Sequence, residues 1–95
     1  MFARVTPFKM KAGSRDAAIR DMQAMKEDIM ALPGMQRFVN VMAEDGSGYV
    51  ISLVESEEVS NANADKVAAL WSRMRDHLES PPESAGFNVE ADWAM

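Results

Sequence analysis

His77 is the only histidine in the chain and so the only side chain whose unperturbed charge change falls near neutrality, which makes it the obvious proton acceptor. It stands in the last turn of a helical stretch beside Arg73 and Arg75, where a cationic side chain also suits the negative end of the helix dipole without any catalytic part. Val67, Leu70, Trp71, Met74 and Leu78 form an apolar stripe on that stretch, so Trp71 points at whatever the helix packs on, either walling a cavity or filling the core. Asn40 and Ser52 are polar residues inside apolar strand-like runs, and each turns inward to a ligand or outward to solvent or a second subunit. Arg4, on the first strand-like run, either holds an anion or lies exposed at a strand edge. Of the nine methionines, Met22, Met25, Met42 and Met74 suit a deformable lining for a bulky ligand or simply fill gaps in the core.

Several chemistries find no support. The absence of cysteine removes thiolate metal sites, cysteine nucleophiles and disulfides together, and suits a reducing compartment. With one histidine, the only acidic group left for a metal is Glu55, Glu57 and Glu58, which is better suited to starting a helix, so no metal site is expected. No serine sits in a recognisable nucleophile elbow.

These residues are positioned by a hairpin, Met35 to Glu55, in which an apolar run around Phe38, Val39, Val41 and Met42 meets a second around Tyr49, Val50, Ile51, Leu53 and Val54. Glu44-Asp45-Gly46-Ser47-Gly48 turns the chain between them. The segment Phe2 to Lys11 predicts a strand with a bulge or unpaired stretch near Pro7, because proline donates no ladder hydrogen bond. Ser14 caps a helix in which Ala18, Met22, Met25, Ile29 and Leu32 recur at helical spacing, and Leu32-Pro33-Gly34 stops it. Continuous over those residues, that helix is roughly 28 Å long. Ser56 caps a second helical region, with a break near Asn63 and a stop at Pro81-Pro82. Phe87, Val89, Ala91 and Trp93 alternate with polar residues and predict a last strand.

The order βαββαβ in a chain of 95 residues predicts one α+β domain over 1–95, ferredoxin-like, with a four-stranded antiparallel sheet and two right-handed crossovers that put both helices on one face. The third strand is apolar on both faces, so the helix-free side should be covered by a second copy in a two-fold dimer. A net charge of -5 with scattered Lys and Arg argues against a nucleic-acid groove. No apolar run reaches membrane-spanning length and no signal peptide is evident, which together read as a cytoplasmic protein without a membrane partner.

The chain resembles the antibiotic biosynthesis monooxygenase-like group of dimeric α+β barrel proteins. The resemblance rests on this order of elements, the Lys11-Ala12-Gly13 entry to the first helix and its Leu32-Pro33-Gly34-Met35-Gln36 exit, together with the Val54-Glu55-Ser56-Glu57 step and Leu70-Trp71 ahead of Pro81-Pro82. It implies a homodimer with a ligand pocket between helices and sheet in each subunit. Some members oxidise aromatic polyketides or quinols with neither metal nor flavin, others degrade haem, and many have no known activity. The haem-degrading branch would need an asparagine on strand one and a well-separated Trp and His on helix two, which this sequence lacks. Two readings follow: a cofactor-independent monooxygenase of a small phenolic or quinol-like compound, and a non-catalytic dimeric barrel that binds a small apolar ligand. For the first, His77 or Asn40 assists proton transfer, and Trp71, Tyr49, Met22, Met74 and Arg4 bind the substrate.

Overall fold

The computed structural model describes residues 1–95. Strands β1 (Phe2–Lys9), β2 (Met35–Met42), β3 (Ser47–Val54) and β4 (Ala85–Asn88) lie in the order β2-β3-β1-β4, each antiparallel to its neighbours. Helices α1 (Arg15–Ala24) and α2 (Lys26–Met30) link β1 to β2, while α3 (Glu57–Ala62), α4 (Ala64–Ser72) and a 3-10 turn at Arg75–His77 link β3 to β4. Phe8, Met10 and Val50 from the sheet share one core with Ala18, Met25 and Ile29 from the first helical layer and Met74 and Leu78 from the second. Both layers therefore cover the same face, as the βαββαβ order requires.

Pairing around Pro7 is regular. β1 keeps an unbroken register with β3 from Phe2↔Val54 to Lys9↔Ser47, with Pro7 opposite Tyr49. The expected bulge is instead on β2, between Met35 and Arg37. Met10 N–H bonds Gly46 O across the β3 side of the chain, so even-numbered residues of β1 turn their amides to β3 and odd-numbered ones turn them away. On that other side β4 pairs only with Phe2 to Val5, and Glu79 and His77 bond Lys9 and Lys11. Pro7 falls in the gap between, where no amide is needed.

The first helix divides at Met25, whose amide bonds back to Met22 O, three residues away, while Ile29 resumes bonding to Met25 O. The break preserves the apolar face, since Ala18, Met25, Ile29 and Leu32 are all buried across it. Ser14 accepts Ala18 N–H through its backbone and makes no side-chain cap. Ser56 does cap, its hydroxyl accepting from Val59 N–H at 3.2 Å. The second break falls at Asn63, as the sequence suggests, but its side chain does not restart the helix. It is 3% exposed and donates through Nδ2 to Pro33 O at 2.9 Å, tying the α3–α4 junction to the loop before β2. In the hairpin turn the Asp45 carboxylate accepts from Ser47 Oγ at 2.6 Å and Ser47 N–H at 3.0 Å, and these bonds hold it below the usual carboxylate range.

The last strand departs furthest from expectation. β4 ends at Asn88, and Val89 N–H still donates to Met1 O before the chain leaves the ladder. Asp92 then reaches Arg37 at 3.8 Å, on the strand at the opposite edge of the sheet, so the tail crosses one end of the helix-free face and leaves Trp93 93% exposed. Strict alternation does not make a long strand when β4 lies at the sheet's edge with β1 as its only partner.

A cavity between the sheet and the helices

Alternation along the strands decides which side chains meet the helices. On β1 these are Arg4, Thr6, Phe8 and the following Met10; on β3, Val50, Ser52 and Val54; on β2, Phe38 and Asn40. The helical layers do not close fully on them. Between sheet and helices lies a cleft of about 950 Å³, within the range of roughly 300–1,000 Å³ usual for small-molecule sites. Its roof is Trp71, Met74 and Val67 from α4 and the turn after it, with Met22 and Met25 at one side and the Ser80-Pro81-Pro82 loop at another.

Trp71 is half-buried, and its ring centroid lies 6.3 Å from that of Phe8 at 49°, a tilted pair that closes one wall. The floor carries polar groups in two adjacent rows of the sheet. Phe38, Ser52 and Arg4 lie across one row, and Asn40, Val50 and Thr6 across the next. Arg4 is held in place. Its Nε and Nη2 donate to Ser60 Oγ at 3.1 and 2.9 Å, Nη2 also donates to Asn61 Oδ1 at 3.2 Å, and the guanidinium lies 5.7 Å from the centre of the Phe2 ring.

Of the residues expected at a site, Trp71, Met22, Met74, Arg4 and Asn40 line this cavity together. His77 does not. Its Nε2–H donates to Asp21 Oδ2 on α1 at 2.7 Å and its carbonyl accepts Lys11 N–H at 2.7 Å, so it clamps the 3-10 turn to the first helix outside the lining. Tyr49 is also misplaced by the sequence reading. It is an odd-numbered residue of β3, so it stands on the helix-free face beside Val41, 51% exposed. The floor residues Thr6, Phe8 and Phe38 were not among the expected site residues. Their parity with Arg4 and Asn40 is the signal that groups them, once the register between β1, β3 and β2 is known. No cluster of three His, Asp or Glu side chains stands close enough to share a metal ion.

No family model matches the chain, and no curated protein matches it by sequence. Solved structures do match in fold. A protein of unknown function from Nitrosomonas europaea superimposes with a TM-score of 0.82 at 18% identity, covering 99% of this chain and 93% of the other. A candidate antibiotic biosynthesis monooxygenase from the same organism gives 0.78 at 13% identity, over 96% and 100%. A Streptomyces coelicolor monooxygenase solved in complex with nanaomycin D gives 0.76 at 18% identity, over 99% and 91%. At such identities the likeness is one of architecture, and by that measure the chain is built on the ferredoxin-like α+β fold of the antibiotic biosynthesis monooxygenase-like proteins.

Proposed function

We propose that the protein is a small monooxygenase that needs no cofactor and acts on a flat phenolic or quinol-like compound bound between sheet and helices. The observation that carries this reading is the cavity itself, apolar and aromatic through Trp71, Phe8 and Phe38, with the polar groups of Arg4, Thr6, Ser52 and Asn40 gathered on its floor. Such a site holds a planar ring and gives its oxygens hydrogen bonds. For an anthrone-like substrate the ring CH2 becomes a carbonyl, one oxygen atom of O2 entering the product and the other leaving as water with the two hydrogens. The electrons come from the substrate, so the protein's part is to hold the electron-rich form and exclude water. Asn40 is the floor residue best suited to orient that oxygen. The likeness in fold to a monooxygenase solved in complex with nanaomycin D is consistent with this.

The second reading, a binding protein without turnover, is favoured by one specific feature: His77, the expected proton acceptor, is tied to Asp21 outside the cavity. In both readings we place a second copy of the chain on the helix-free face, where Val41 and Tyr49 are 47% and 51% exposed.

Oxygen uptake over a panel of hydroquinones and anthrones tests the first reading. Trp71→Ala is expected to lower kcat/KM by roughly tenfold or more, because it removes the wall against which the ring is oriented. His77→Gln is expected to leave kcat/KM within about twofold while lowering the melting temperature, since it loosens only the clamp to Asp21. Absence of turnover on every compound, with retained Trp71 quenching by the same compounds, selects the second reading.

A further inference from the structure

We infer that the ligand of this cavity is an organic anion, a flat apolar body ending in a carboxylate that lies against Arg4. This rests on the reading of the cavity as a small-molecule site and adds the charge of what it takes. Arg4 is half-buried, and every partner of its guanidinium is neutral: a serine hydroxyl, an asparagine carbonyl and the Phe2 ring. Its Nη1 end makes no hydrogen bond within the chain, although the side chain lines the cavity. Four other cationic side chains, Lys9, Arg15, Arg37 and Arg73, each have a carboxylate within 4 Å, and none of these four lines the cavity.

The same pattern extends to the rim. Lys11 and Arg75 also border the cleft without an ion pair, and Glu79 is the one carboxylate in the lining. A chain with a net charge of -5 thus presents a net positive cavity. Field lines concentrate in a low-dielectric cleft, so an anion is drawn to it although the protein as a whole repels one. Inside, an unopposed guanidinium fixed by Ser60 and Asn61 offers its remaining N–H groups to carboxylate oxygens at little entropic cost. Ser52, opposite Arg4 in the sheet, supplies a hydroxyl to the same place.

Binding of anthraquinone-2-carboxylate and its neutral 2-hydroxymethyl analogue, measured by calorimetry and by quenching of Trp71 in a Trp93→Phe background, tests this directly. The carboxylate is expected to bind about tenfold more tightly or better, and the preference to shrink to within about twofold in Arg4→Gln. Arg4→Lys, which keeps the charge, is expected to retain a preference. Should Arg4→Gln not fold, the wild-type protein still decides: added salt is expected to weaken the acid and leave the alcohol unchanged. Equal affinities with normal quenching, or a preference that survives Arg4→Gln, overturn the anion inference and leave the cavity reading standing. Failure of both compounds to quench Trp71 overturns the cavity reading and the anion inference with it.

Discussion

Tyr49→Asp is expected to give a folded protein that sediments as a monomer at micromolar concentration, where the wild type is expected to sediment as a dimer. Tyr49 stands about half exposed on the helix-free face of β3, between Val41 on β2 and Pro7 on β1. In the lone chain a carboxylate there remains in water and costs little. Across a two-fold interface the same substitution occurs twice, and each charge loses its hydration at a cost of several kcal/mol. The dissociation constant should therefore rise by at least roughly a thousandfold. The surface is suited to burial: beside Tyr49 it carries Val39, Val41, Ile51 and Val5, and the C-terminal tail crosses only the end near Arg37. Sedimentation velocity with far-ultraviolet circular dichroism as the folding control decides it. A monomeric wild type, or a variant that associates as tightly as the wild type, removes the dimer from the proposed function.

Much of this architecture is legible in the residues because the signals for it are local. Apolar spacing on both helical layers, the hairpin turn, the Ser56 cap and the break at Asn63 follow from propensity and capping alone. What escaped depends on partners distant in sequence. Pro7 fits a regular strand because β4 and the Glu79 segment leave a gap beside it. Asn63 serves Pro33, thirty residues away, and His77 serves Asp21. Tyr49 and Trp71 look alike as aromatic candidates, yet strand parity sends one to the open face and the other's helix to the cavity. The site was half visible for the same reason: its residue types stood out, but the register that gathers Arg4, Ser52, Thr6 and Asn40 onto one floor is a property of three strands together.

Gly48→Ala should destabilise the fold far more than Gly13→Ala, although Gly13 is the glycine with the left-handed backbone. Gly13 has φ +81° and open space around it, so a methyl group there costs the backbone strain alone, about 1–2 kcal/mol. At Gly48 a Cβ would run into the Val41 carbonyl oxygen, with Met42 Cα at 2.9 Å and the Phe8 ring at 2.8 Å. The ring can turn aside, but the carbonyl and Cα belong to the backbone of β2, where Met42 pairs with Gly48, and relief means separating the two strands at the hairpin. A loss of about 3 kcal/mol is expected, and with it a fall in melting temperature of roughly 12–24 °C. Phe8 also closes the cavity against Trp71, so any ring displacement that accommodates the methyl group narrows the site from its floor. In protein that remains folded, ligand affinity at the cavity should fall along with stability, whereas Gly13→Ala should leave it unchanged. Thermal melts of the two variants within a few degrees of each other would show that β2 and β3 yield more readily than their close approach implies.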